Sequence, residues 1–589
     1  MKPTLRVGGA CGFWGESNGA LTQFLAGEDL DFVVFDYLAE ITMSILARAR
    51  AADPQKGYAA DFVKAVLAPN LEQIAEQGVR IVSNAGGMNP QACGEAVREL
   101  VRARELNLKV AVITGDDLMG MAAELAERGV SEMFSGEPFP PVDRVASVNA
   151  YLGAFPIAAA LDAGADIVIT GRIVDSAATL GACIHHFGWS ADQLDALAGG
   201  SLAGHILECS TQATGGNFTD WEEVADTLAE IGYPIAEVSA DGTFVCTKPD
   251  GTGGQVSIGT IAEQMLYEIE DPQNYTLPDV RCDFSDVRLE QPTEDRVRVS
   301  GARGAPPPEA LKVSATWADG FRAGHLLFLY GEDASQKAWA LADAAVSRVN
   351  RALEKFRLEP LSETLVEVFG DESHYGGHRR VEGSREVVLK IAGKHPRAEG
   401  IGILLKETIG LALAAPPGLT LFSAGGRPKP SPVVRLFSFL VEKDQVQVDL
   451  HLEGKPLTYR PPESASGLVE PDRPEPPTVN TADLTLIEVS LFRLARGRSG
   501  DKGNRANIGI IARKAEYLPW IWRSITEDVV AERFAHFLEG RVERYLLPGP
   551  SAINFVLHDV LGGGGIASLR NDPQGKGYAQ LLLAAPVAI

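Results

Sequence analysis

Residues 165–177 read Ala-Asp-Ile-Val-Ile-Thr-Gly-Arg-Ile-Val-Asp-Ser-Ala. The run Ile167 to Thr170 is apolar or β-branched without a break, as in a strand buried on both faces. Gly171 ends it, and Arg172 and Asp175 follow at once. The same grammar recurs four times upstream, at residues 5–10 (LRVGGA), 32–36 (FVVFD), 79–84 (VRIVSN) and 110–115 (VAVITG). Between these runs, residues 58–77 and 91–106 repeat apolar side chains at helical spacing. Buried strands separated by helices predict an α/β fold, with a mostly parallel βα-repeat main domain covered on both faces.

Open parallel sheets hold ligands beyond the carboxyl ends of their strands. Polar residues stand there repeatedly: Asp36, Asn84, Asp116, Asp117, Arg172 and Asp175. Asp116 and Asp175 are candidate catalytic carboxylates. Asn84 and Arg172 are candidate substrate-binding groups, with Gly12 and Gly86, whose Gly-rich turns let backbone N–H groups approach a ligand. The competing reading is that Asp and Asn simply cap the helices that follow. No G-x-G-x-x-G or G-x-x-x-x-G-K-[ST] motif follows any strand, which points away from a nicotinamide or ATP cofactor.

The densest polar cluster is 204–221, GHILECSTQATGGNFTDW. His205, Glu208 and Cys209 share one face if helical. His205 and Glu208 are candidate acid/base catalysts, and Cys209 is more simply a buried thiol. Thr214, Gly215 and Gly216 form a turn able to aim N–H groups at a carboxylate or oxyanion. Two ligands do not complete a metal site, so no metal is expected. His185 and His186 read as a helix end. His374 and His378 flank a Gly-Gly pair beside Arg379 and Arg380, in an anion loop or a solvated turn.

From about residue 239 to 300 the pattern changes to hairpins and loops, an insertion or second subdomain near 235–310. Residues 460–483, crowded with Pro, Glu and Ser, predict an extended linker. The expected domains are 1–455, a linker at 456–483, and a small C-terminal α+β domain at 484–589. In that last domain, strands are predicted at 484–495, 506–512, 542–547 and 578–586. Helices are predicted at 517–538 and 552–561, a ferredoxin-like split βαβ arrangement. Residues 495–507 hold Arg496, Arg498, Lys502 and Arg505 in a Gly-rich loop. Arg498, Ser499 and Lys502 are candidate ligands for a phosphate or carboxylate. Alternatively this basic loop pairs with the acidic main domain.

At 589 residues the chain needs more than one core. Its formal net charge of −24 opposes binding to nucleic acid or an anionic membrane. An anionic substrate must therefore meet a local basic pocket. No apolar run is long enough for a membrane span, and the N-terminus lacks the pattern of a secretory signal. Six cysteines without a C-x-x-C pair suit a reducing compartment, so a cytoplasmic location is expected.

Nine motifs occur in one order along the main region. They are GFWGES (12–17), FDYLAEITMSILARAR (35–50), SNAGGMNP (83–90), VITGDDL (112–118), ADIVITGRIVDSA (165–177), GHILECSTQATGGNFTDW (204–221), GYPIAEV (232–238), TKPDGTGG (247–254) and LFSAGGRPKPSP (421–432). With RSGDKGNRANIGIIAR (498–513), they resemble the acyclic terpene utilisation AtuA family and its C-terminal ferredoxin-fold domain. The resemblance spans residues 5–455 and 484–585. It implies a role in breaking down citronellol- and geraniol-type compounds, a route through branched acyl-CoA thioesters. The leading expectation is a hydratase, lyase or thioester hydrolase of branched-acid catabolism. The alternatives are a non-catalytic subunit docking to a pathway enzyme, and a metal-dependent hydro-lyase using Asp116, Asp117 and Glu208. No separate cofactor is expected, although CoA could enter as part of a small anionic substrate. A homo-oligomer is expected.

Overall fold

The five runs become strands β1 (Thr4–Gly9), β2 (Phe32–Phe35), β3 (Arg80–Ser83), β4 (Val110–Thr114) and, after β5 (Val145–Ala150), β6 (Ile167–Thr170). This computed structural model describes residues 3–421, 426–463, 467, 470–482 and 485–589. β1, β2, β3, β6 and β4 lie side by side in that order and are all parallel. Because the run Ile167–Thr170 is buried throughout, it can occupy the slot between β3 and β4. The chain passes β3 to β4 and then doubles back to β6, the kind of topological switch where open α/β sheets bind ligands.

Beyond this parallel centre the sheet is antiparallel, which corrects the expectation of a mostly parallel domain. β7 (Ile235–Ser239) pairs with β1, β8 (Phe244–Thr247) pairs with β7, and Arg296–Ser300 and Arg288–Thr293 extend this edge, part of a sheet of eleven strands once Asp449–Leu452 and Lys455–Leu457 are added at the other. On the other edge, Asp449–Leu452 pairs with β4. The hairpins of 239–300 thus largely prolong the main sheet, since their alternate residues Phe244, Cys246, Val297 and Val299 join its core.

A second sheet is organised by the 21-residue strand Ala310–Tyr330. Its first half pairs with β5 and with Ser431–Glu442, and its second half with Glu386–His395. The helices Ala334–Lys355 and Ala398–Ile409 close a separate core over it.

The C-terminal ferredoxin-like domain has four antiparallel strands in the order Ala495–Lys502, Arg505–Ala512, Ala552–Leu557, Val542–Leu547. Four sequence expectations change here. Residues 495–502 are strand rather than loop. Residues 552–557, AINFVL, are a fully buried strand rather than a helix, because a short apolar run has no periodicity to separate the two. Residues 578–583 are helix, and only Pro586–Ala588 is strand, paired with Glu488–Ser490. The helix expected at 517–538 is two pieces, Leu518–Ser524 and Glu527–Arg533, the second N-capped by Thr526. Between Leu457 and Glu488 the described residues form neither helix nor strand and are mostly exposed. Arg473 nonetheless ties this stretch to Asp271 at 2.6 Å. The strand expected from residue 484 begins outside the described residues.

Candidate active site at the domain junction

Three carboxylates from distant parts of the sequence converge at the carboxyl end of the parallel strands. One oxygen each of Asp36, Asp175 and Glu208 lie within 4.8 Å of one another. Asp36 follows β2, where its backbone N–H bonds to the carbonyl of Cys11. Asp175 sits in the turn after β6. Glu208 ends the helix Leu194–Glu208, which is buried from Ala196 onward. This helix reaches the sheet closely because Gly204 lies against Ser176, where a Cβ would stand 2.6 Å from the Ser176 carbonyl. At Gly12 a Cβ would come within 2.9 Å of the Glu208 carbonyl. The glycines thus bring Glu208 alongside Asp175.

Neighbours orient each carboxylate. Asn84, fully engaged, donates from Nδ2 to Asp36 Oδ1 at 2.6 Å and accepts from the Tyr37 backbone N–H at 2.7 Å. Arg172 donates to Asp175 Oδ1 at 2.9 Å and to the Leu38 carbonyl at 2.7 Å, and its guanidinium stacks on Tyr151. His205 Nδ1 lies 3.1 Å from Glu208 Oε1, an ion-pair contact outside hydrogen-bond alignment, while Nε2 is 3.2 Å from the Met265 carbonyl oxygen. Burial, with the charge of Asp175, pushes the Asp36 carboxyl well above its ordinary range. Burial also raises Glu208, against the opposing pull of His205. For His205, burial alone would lower the pKa, but the Glu208 charge prevails and raises it.

The small domain completes this site. Lys502 lies at the turn between its first two strands, and Nζ is 3.3 Å from Glu268 Oε2. Burial would lower the Lys502 pKa, yet Glu268, Asp175 and Glu208 raise it well above the ordinary value. Lys576 also reaches Glu268, at 2.6 Å. Against its burial, Lys502 and Lys576 together hold the Glu268 carboxyl at about 2. Glu268 has φ 56°, a left-handed conformation sustained by its surroundings. Asn507 accepts from the Glu268 N–H at 2.9 Å and donates to the Leu266 carbonyl at 2.6 Å. Asn554 donates to the carbonyls of Ile269 and Glu270.

Beside the cluster opens a cleft of about 1200 Å³ between the main region and the small domain. Its lining includes Val174, next to Asp175; Tyr275, whose ring centroid is 5.7 Å from that of His205; and Lys502. Phe139, Trp317 and Phe437 supply apolar wall, and Lys312, Arg505 and Arg541 supply positive charge.

Other candidates from the sequence are engaged in local contacts of their own. Asp116 accepts from the backbone N–H of Arg172 at 2.8 Å and from Asn149 Nδ2 at 2.9 Å, so it braces the Arg172 turn. Burial raises its carboxyl to about 6. Asp117 pairs with Arg50. Gly12 gives its N–H to Glu16, and Gly86 is packed where a Cβ would stand 2.4 Å from the Thr170 carbonyl. Thr214 bonds to the Gly232 carbonyl, Gly216 to that of Thr211, and Gly215 closes the turn at φ 109°. These groups serve their own turns. Cys209 is the helix C-cap, and burial pushes its thiol well up.

The basic segment 495–507 serves the interface. Arg496 and Arg513 both grip Asp220 at 2.6 Å. Arg498 donates to the Asn217 carbonyl and stacks on Tyr267, Arg505 pairs with Glu270, and Ser499 is buried against Gly575. These contacts match the reading of a basic segment paired with the acidic main domain. Only Lys502 of the four cations also reaches toward the carboxylate cluster. His378 pairs with Glu532 of the small domain, and His374 with Glu367, so their loop too is an interface element. His185 pairs with Asp162 near a helix end. Glu268, Lys576 and Tyr275 were not singled out from the sequence. Only their tertiary neighbours distinguish them.

No curated protein and no solved structure matches this chain. Among the described residues, no helix is long and apolar enough to cross a membrane. The family model described as acyclic terpene utilisation family protein AtuA matches residues 5–452. That of the AtuA ferredoxin-like domain matches residues 489–588. Together they cover both sides of the carboxylate and lysine site, and the chain belongs to the AtuA family implicated in acyclic terpene utilisation.

Proposed function

We propose that the chain is an enzyme of acyclic terpenoid and branched-acid catabolism that hydrates or dehydrates an acyl-CoA thioester in the interdomain cleft. The observation that carries this reading is a cluster of three carboxylates beside an aromatic-walled cleft that an ammonium group, Lys502, also lines, within electrostatic reach of Asp175 and Glu208. A branched hydrocarbon chain suits Phe139, Trp317 and Phe437, while the phosphates of CoA suit the cations at Lys312 and Arg541.

The chemistry follows from the charges. With the thioester carbonyl near Lys502, the ammonium stabilises negative charge on that oxygen as an enolate forms. In hydration, water adds through oxygen to Cβ and loses one proton to the carboxylate cluster. The enolate then takes one proton at Cα. Dehydration is the reverse. Raised carboxyl pKa values at Asp36 and Glu208 bring proton exchange closer to neutral pH.

The test is incubation of the full chain with a panel of branched, unsaturated and 3-hydroxy acyl-CoAs, followed by mass spectrometry for gain or loss of one water. Lys502→Ala should lower turnover by ~10²–10³-fold, as expected for loss of an oxyanion-stabilising group. Absence of any conversion across the panel would refute the proposal.

A further inference from the structure

We infer that Asp36, Asp175 and Glu208 form a binding site for one hard divalent cation, of the Mg²⁺, Mn²⁺ or Ca²⁺ class. This deepens the reading of the cleft as a reaction site, but it does not depend on the substrate being an acyl-CoA.

The geometry comes first. Three oxygens within 4.8 Å of one another leave a point no farther than about 2.8 Å (4.8 Å divided by √3) from all three. Ca²⁺–oxygen distances are about 2.3–2.6 Å and Mg²⁺–oxygen distances about 2.0–2.1 Å, so a small inward movement of side chains completes the contacts. All three ligands are carboxylate oxygens, which favours hard cations over zinc or copper. Three protein ligands also leave positions for water or substrate oxygens. Asp175, a quarter exposed, lies next to the cleft residue Val174.

A second observation is independent of the clustering. Glu208 Oε2 is buried and has no hydrogen-bond partner among the described residues, in a side chain only 6% exposed. A buried carboxylate oxygen left unpaired is costly, and a cation satisfies it. Oε1 faces His205, the arrangement in which an outer group orients a ligating carboxylate. The hydrogen bonds described above likewise fall on one oxygen of Asp36 and one of Asp175, Oδ1 in each case.

Charge points the same way. Asp36, Asp175, Glu208, Glu268 and Asp501 are five carboxylates linked by the contacts around this junction. Against them stand four permanent cations: Arg172 on Asp175, Lys502 on Glu268, Lys576 on Glu268 and Asp501, and Arg498, whose charge also acts on Glu268. His205 adds a charge only when protonated. Carboxylates ligate a cation in their ionised form, so binding tightens as pH rises. Asn84 and Arg172 would continue to hold the outer oxygens, and a bound ion would supply Lewis-acid polarisation of a neighbouring water or substrate oxygen.

The experiment uses the full chain after chelator treatment and dialysis, titrated with Mn²⁺ alone and read by electron paramagnetic resonance and calorimetry. One Mn²⁺ per chain is expected, displaced by Mg²⁺ or Ca²⁺, with tighter binding at pH 7.5 than at pH 5.5. Glu208→Gln and Asp175→Asn should each weaken it by ~100-fold or more, and His205→Ala by about 10–100-fold. Glu263→Gln, at a buried carboxyl outside the cluster, should leave it unchanged with circular dichroism intact. Absence of stoichiometric Mn²⁺ binding by the wild-type chain would overturn the inference, as would undiminished binding by both ligand variants. Mn²⁺ binding without turnover of any acyl-CoA would overturn the proposed reaction and keep the cation site. Turnover without Mn²⁺ binding would do the reverse.

Discussion

Replacing Asn507 with Ala should both destabilise the protein and loosen its site, because this one amide joins the small domain to the segment carrying Glu268. Asn507 is 4% exposed. Its Nδ2 donates to the Leu266 carbonyl at 2.6 Å and to Asn554 Oδ1 at 2.9 Å, and its Oδ1 accepts from the Glu268 N–H. The substitution orphans three groups. A buried group left without its partner costs about 1–3 kcal/mol. Asn554 can turn toward its other partners, and Glu268 is less buried than Leu266, so the total should fall near 3–5 kcal/mol. The consequence reaches the site through Glu268, whose φ of 56° is maintained by these contacts and whose carboxylate holds Lys502. Urea unfolding followed by tryptophan fluorescence, with hydrogen exchange mass spectrometry over residues 264–272, provides the assay. The variant should unfold at lower urea and exchange faster across that segment. An unshifted midpoint together with unchanged exchange would refute the view that Asn507 positions Glu268.

Three further expectations follow from the same contacts. Because the Glu268 carboxyl is held at about 2, below its unfolded value near 4.3, its contribution to stability is complete above that unfolded value. It is lost as pH falls toward 2, so Glu268→Gln should flatten the acid side of the stability curve, and an unchanged slope in acid urea titrations would contradict the pairing. Limited proteolysis should cut between residues 474 and 482, yet the fragments should co-elute in size exclusion, since Asp220 grips both Arg496 and Arg513 across the junction; prompt separation would show that those pairs do not hold the domains. Cys209→Ser should leave turnover and Mn²⁺ binding intact, because burial keeps this thiol protonated and a poor nucleophile, and loss of turnover alone would bring nucleophilic catalysis forward.

Local signals made much of this protein readable without coordinates. Short apolar runs such as Ile167–Thr170, set between helical stretches and ended by Gly or a polar residue, read as buried strands, and the five such runs form the five parallel strands. His205 and Glu208 pair because helical spacing places residues three apart on one face. Asp36, Asn84, Arg172 and Asp175 were visible as polar residues at strand ends. Their division of labour was not, since a strand-end aspartate looks the same whether it braces a turn, as Asp116 does, or joins an open cluster, as Asp175 does. The run AINFVL is too short to reveal a period, so pairing with Arg505–Ala512 alone made it a strand. The role of residues 495–502 also waited on the tertiary structure. Four cations in a Gly-rich segment resemble an anion site, but Asp220, Glu270 and the Asn217 carbonyl engage three of them. What remained for the fold to decide was long-range proximity. Lys502 pairs with Glu268, more than two hundred positions earlier in the chain, because two separately encoded domains bury their facing polar groups together. Sequence spacing determines which residues share a strand or helix face, whereas docking of one complete surface on another determines which charges meet.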